Sequence, residues 1–135
     1  MRWTAGARGG ARSATTESGV LRQAPFSSAI PYRKNSDTNS AELLAAAHAG
    51  SFSLALAKEL GPTALSKGDI VTSAAVTLEH LAAGWTIINV HLNVAARLPR
   101  VSQNRFIGAT IRAKTHCLVS RTLRATVSMN AKLER

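Results

Sequence analysis

The stretch TNSAELLAAAHAGSFSLALAKELGP, residues 38–62, decides how the rest of the chain is read. Asn39 is a good helix N-cap, and Glu42 stands three residues on, the spacing of a capping box. The run that follows is dense in helix formers, and Gly61 with Pro62 ends it. Leu43, Leu44, Ala47, Leu54 and Leu56 are spread over several faces. A helix apolar nearly all round is expected at the centre of a fold, not on its surface.

Working outward, residues 1–24 are rich in Gly, Ser and Thr. Short β-prone pieces at 2–5 and 11–21 read as a hairpin or meander turning through Gly9 and Gly10. Residues 25–38 have no periodicity and hold Pro25 and Pro31, so they read as a loop or an edge strand. Beyond the helix, 70–81 and 85–98 alternate or are β-branched, with a turn at 82–84, which predicts a long β-hairpin. A second helix is predicted over 102–115, with Phe106, Ile107, Ile111 and Ala113 facing inward. A short helix begins near Cys117, and 125–133 closes as a strand. Strands, helix, strands, helices, strand make an α+β domain over 1–135, its long helix buried on antiparallel sheets.

Composition narrows the function classes. Hydrophobic residues are 45% and charged ones 18%, a globular balance, and aromatics at 4% leave an aliphatic core. No apolar run approaches the roughly 20 residues that cross a bilayer. No apolar h-region follows the basic N-terminus MRWTAGARGG, which argues against a signal peptide. Cys117 is the one cysteine, so no intramolecular disulfide forms and a reducing, cytoplasmic setting is expected. His48, His80, His91 and His116 lack ligand spacing, so neither a metal site nor another cofactor is expected. The net charge is +10; from Arg97 onward there are nine Lys or Arg against the single acid Glu134. These cations fall at varied spacing without interleaved aromatics, the pattern of a solvated basic face rather than a nucleic-acid surface.

Four segments together resemble the osmotically inducible protein C (OsmC) and organic hydroperoxide resistance family: TTESGVL at 15–21, TNSAELLAAAHAGSFSLAL at 38–56, AGWTIINVHLNVAARLP at 83–99 and AKTHCLVSRTL at 113–123. They stand in the family's order, and the AAAHAGSF form is similar to the OsmC subclass. The resemblance implies an intertwined homodimer that reduces organic hydroperoxides at the expense of a dithiol, without cofactor. In that chemistry a peroxidatic thiolate attacks the peroxide, becomes a sulfenic acid and condenses with a resolving thiol. An arginine stabilises the thiolate and the leaving oxygen, and a glutamate fixes the guanidinium.

Carried over residue by residue, the catalytic positions are altered. The peroxidatic cysteine falls on Ser51. The family's TNPEEL is TNSAEL here, so its glutamate falls on Ala41, with Glu42 at the neighbouring acidic position. The arginine, ten residues before that glutamate, falls on Pro31. Only the resolving cysteine is retained, as Cys117, followed by Leu118 where the family usually has proline. A serine hydroxyl has no sulfenic-acid chemistry, and neither proline nor alanine can replace an ion pair.

Each residue also has a plainer reading. Cys117, with Lys114, His116 and Arg121 near it in sequence, has features that lower a thiol pKa, but it reads first as a small buried hydrophobe. Arg33 could replace the missing arginine only by a register shift, and reads as a loop cation beside Lys34. His48 shares a helix face with Ser51 and reads as a packed helix histidine rather than the base of a nucleophile. Trp85 and Phe106 read as core or pocket-wall residues. Two functional expectations follow: a family-typed peroxide-defence protein with an impaired site, or a non-catalytic module that binds a small apolar ligand or an acidic partner.

Overall fold

The computed structural model describes residues 2–4, 13–26 and 37–134. Contacts divide the chain into two compact units, Met1–Leu43 and Leu44–Arg135.

In the first unit, β1 (Arg2–Thr4), β2 (Ser13–Thr15) and β3 (Ala24–Pro25) form an antiparallel sheet in chain order. The second strand ends at Thr15, short of the predicted 21, and the turn through Gly9 and Gly10 lies outside the described residues. A tight turn closes residues 16–21: Thr16 N–H donates to the Leu21 carbonyl at 2.9 Å, and Gly19 takes a positive φ of 77°. Phe26 and Thr38 form an isolated bridge, and residues 27–36, within the stretch expected to be a loop or an edge strand, lie outside the described residues. Asn39 caps the next helix as expected, its Oδ1 accepting the Glu42 N–H at 2.8 Å. The Glu42 carboxylate accepts the Thr38 hydroxyl at 3.0 Å.

The helix so capped is α1 (Ser40–Leu60), which continues into the second unit. It ends where Gly61 adopts a φ of 82° and Pro62 starts the short helix α2 (Pro62–Leu65). An Arg105 Nη2 donates to the Leu60 carbonyl at 2.7 Å, placing a cation on the helix's negative end. Then come β4 (Asp69–Leu81), β5 (Gly84–Arg97), α3 (Gln103–His116), α4 (Leu118–Thr122) and β6 (Thr126–Glu134).

The core of this unit is built from three periodicities. Phe52, Leu56 and Leu60 are buried at four-residue spacing on α1; Val90, Leu92, Val94 and Ala96 alternate on β5; Phe106, Ala109 and Ala113 line α3. Burying each large apolar side chain contributes about 1.5–3 kcal/mol. The expectation that α1 is buried all round is corrected: only one stripe is buried, and Leu54 is 75% exposed. Much of the rest of the helix is Ala, Ser and Gly, which lose little by facing water. On α3, Phe106 and Ala113 face inward as expected, but Ile107 and Ile111 are 45% and 58% exposed. The inward stripe is Phe106, Ala109, Thr110 and Ala113, and Ile107 and Ile111 fall one position beyond it.

β4 and β5 pair antiparallel from Asp69↔Arg97 to Leu81↔Gly84, the predicted hairpin, with a bulge at Ile88. β6 pairs with β5 in parallel, so this sheet is mixed rather than wholly antiparallel. The reason is the crossover: α3 and α4 carry the chain back to the starting end of β5 before β6 begins. The fold is α+β. No helix among the described residues is long and apolar enough to cross a membrane.

Candidate functional site

The chemistry-bearing side chains of the second unit meet where the middle of α1 faces the α3–α4 junction. His48 and Ser51 lie three residues apart on α1, hence on one face. Cys117 ends α3 and opens α4: its N–H donates to the Ala113 carbonyl at 2.8 Å, and its carbonyl accepts the Arg121 N–H at 3.1 Å. Its side chain is fully buried in the core. From there the Sγ donates to the Ser51 Oγ at 3.4 Å. One turn along α4, the Ser120 Oγ lies 2.7 Å from the His48 Nε2.

Burial and hydrogen bonding act on the sulfur in opposite directions. Burial pushes the Cys117 thiol up, yet its pKa is lowered, because the Ser51 hydroxyl, the N–H and hydroxyl of Ser120 and the Val119 N–H all hydrogen-bond the sulfur. Burial holds His48 below the ordinary imidazole range, so it is neutral near pH 7. Its Nδ1 is buried with no hydrogen-bond partner among the described residues. With the proton on Nε2, a chain runs from His48 N–H to the Ser120 oxygen and from the Ser120 hydroxyl to the sulfur.

The arrangement can hold a thiolate by neutral donors. It offers no second thiol, and Cys117 is the sole cysteine of the chain. Ala41, at the expected glutamate position, is on the first turn of α1 in the first unit. Pro31 and Arg33, the expected arginine position and its alternative, lie outside the described residues. Phe106 is fully buried in the core, as expected. Trp85 is corrected: it is 48% exposed at the β4–β5 turn, edge-on to His80 with ring centroids 5.3 Å apart. No cluster of three or more His, Cys, Asp or Glu could hold a metal ion among the described residues.

Ser120 was missed by sequence reasoning. Its only signal is a spacing of three from Cys117 at the start of a short helix, and its link to His48 spans 72 positions. Also missed was a cleft of about 490 Å3 between α3, α4 and β6, whose wall includes Ser120. Of the expected site positions, Ser51 and Cys117 are the two that lie in contact.

Comparison with known proteins identifies the family and the fold. The sequence profile of the family described as OsmC-like protein matches residues 33–132. Peroxiredoxin OsmC of Escherichia coli is 33% identical over 132 residues, covering 98% of this chain and 92% of that protein. Among solved structures, an OsmC-like protein from Vibrio cholerae superposes with a TM-score of 0.71 at 14% identity, covering 90% of this chain and 84% of that one. An organic hydroperoxide resistance protein OsmC from Legionella pneumophila gives a TM-score of 0.66 at 21% identity, covering 100% and 98%.

Proposed function

The chain belongs to the OsmC-like protein family, and from that membership we propose that it is a peroxide-defence protein whose two-cysteine reductase cycle is broken. The observation that carries this reading is the Ser51 hydroxyl 3.4 Å from the Cys117 sulfur. At that point the cycle needs a second sulfur, both to attack the peroxide and to close a disulfide. Ala41 and Pro31 remove the carboxylate and the cation that would position a peroxide. As in the resemblance, the working form is a homodimer of single-domain chains, cytoplasmic and without cofactor. Organic hydroperoxides and a dithiol are the ancestral substrates.

The test is consumption of cumene hydroperoxide with a dithiol reductant, for the chain as it stands and for Cys117→Ser. Both are expected to be inactive. Turnover that vanishes with Cys117→Ser would mean that a one-cysteine mechanism has replaced the family's, and the reading would fail.

A second reading, a non-catalytic binding module, is favoured by the cleft between α3, α4 and β6. It combines apolar walls with Lys114 and Arg121. Thermal stabilisation by small apolar ligands supports it, since a ligand that binds only the folded state stabilises by mass action. A salt-dependent retention on heparin would instead point to an acidic partner.

A further inference from the structure

We propose that the cleft between α3, α4 and β6 is a binding site for an apolar carboxylate, a fatty acid of medium chain length; this rests on the binding-module reading. The cleft is open to solvent along one side, with a volume of about 490 Å3. Its lining is divided in character. Ile111, Val127 and Met129 supply an apolar surface, and Ile111 is 58% exposed, large for a residue of its type. Lys114 and Arg121 supply two positive charges, with the hydroxyls of Thr115 and Ser120 beside them.

The sequence places these groups together by simple periodicity. Ile111, Lys114 and Thr115 stand at i, i+3 and i+4 on the outward face of α3. Val127 and Met129 stand two apart, so both point to the helix side of β6. Arg121 is carried in by α4.

No acid lines the cleft. Glu59, the acid that reaches α3, is taken by Arg112 at 2.8 Å and His116 at 3.4 Å. Neither Lys114 nor Arg121 has a carboxylate partner among the described residues. Two cations over an apolar floor without a counter-charge complement an amphipathic anion. A guanidinium matches a carboxylate in two parallel hydrogen bonds, which sets the head group at Arg121 and the chain along Ile111 and Met129. Ser120 is shared with the site above, so the carboxylate lies beside the hydroxyl that bonds the His48 Nε2.

The experiment is calorimetric titration of the full chain with decanoate and with 1-decanol, alongside Arg121→Glu and Lys114→Glu. Both substituted side chains are at least partly exposed, and unchanged melting temperatures check that the variants fold. Decanoate should bind saturably, about tenfold or more tighter than decanol, and each charge reversal should weaken it by about tenfold or more. Equal binding of decanol and decanoate, or full decanoate affinity in the variants, would overturn the carboxylate site while leaving the apolar-ligand reading standing. Binding of neither molecule would overturn both.

Discussion

The Sγ of Cys117 stands 3.4 Å from the Oγ of Ser51, across 66 positions of sequence. The fold therefore brings into contact the two positions proposed above as a disulfide-forming pair, one of which carries oxygen. Position is set by the buried stripe of α1 and by the α3–α4 junction, neither of which depends on a sulfur at residue 51.

Ser51→Cys should accordingly form a disulfide with Cys117 when oxidised. The 3.4 Å separation is a non-bonded contact, about 1.3 Å longer than an S–S bond, and rotamer adjustment of both side chains has to close that gap. Closing a loop of 66 residues stabilises the oxidised form by about 4 kcal/mol in chain-entropy terms. Thiol titration before and after treatment with hydroperoxide should show two thiols lost. Peroxide turnover should remain low, since Ala41 and Pro31 are unchanged; persistence of both thiols would mean that the two side chains do not meet in solution.

His48 sets an acid limit on stability. Burial lowers its folded pKa below the ordinary value of about 6.5, so between the two values the unfolded chain binds more protons. This contribution is present above the unfolded pKa and is lost as pH falls toward the folded one. Melting temperature should drop as pH falls below about 6.5, the ordinary imidazole value. His48→Asn, which retains a polar group facing Ser120, should flatten that part of the profile. An unchanged slope in the variant would assign the acid sensitivity to other groups.

The N-cap of α1 can be weighed alone. Asn39→Ala removes the acceptor held at 2.8 Å by the Glu42 N–H and should destabilise by about 1 kcal/mol. Denaturant unfolding measures it, and Asn39→Asp should recover most of the loss. Equal stability of all three chains would mean that water replaces the cap without cost.

What was legible in the sequence was what local physics decides. Asn39, Gly61 and the alternation of Val90, Leu92, Val94 and Ala96 each act through neighbours within a few residues, so helix ends and the hairpin are readable directly. The inward face of α3 was read partly wrongly because Ile107 and Ile111 are more hydrophobic than Ala109 and Thr110. Helical phase, not hydrophobicity, chose the buried residues, and the displaced isoleucines include one wall of the cleft. The parallel pairing of β6 and the contact from Ser120 to His48 depend on the crossover path, which no local pattern encodes. Candidate site positions came from the resemblance; their residue types, read singly, gave no site.

The protonation of Cys117 is the property that most directly reports whether the site retains a thiolate. Burial opposes the charge, and donors from Ser51, Ser120 and Val119 outweigh it, so the folded pKa lies below that of a free thiol. For an acid with a depressed folded pKa, the stabilising contribution is present above the unfolded pKa and disappears as pH falls through the folded one. The melting temperature of the chain should therefore gain on that of Cys117→Ala as pH rises through the alkaline range, a gap set by packing alone at low pH. Because the sulfur is buried, ultraviolet thiolate absorbance is a more direct probe than alkylation, which would first require opening. Its midpoint should shift upward in Ser120→Ala and in Ser51→Ala, each of which removes one hydroxyl from the sulfur. A midpoint at or above about 8.5 in the unmodified chain would make Cys117 an inert core thiol. A constant stability gap across pH would say the same by an independent route.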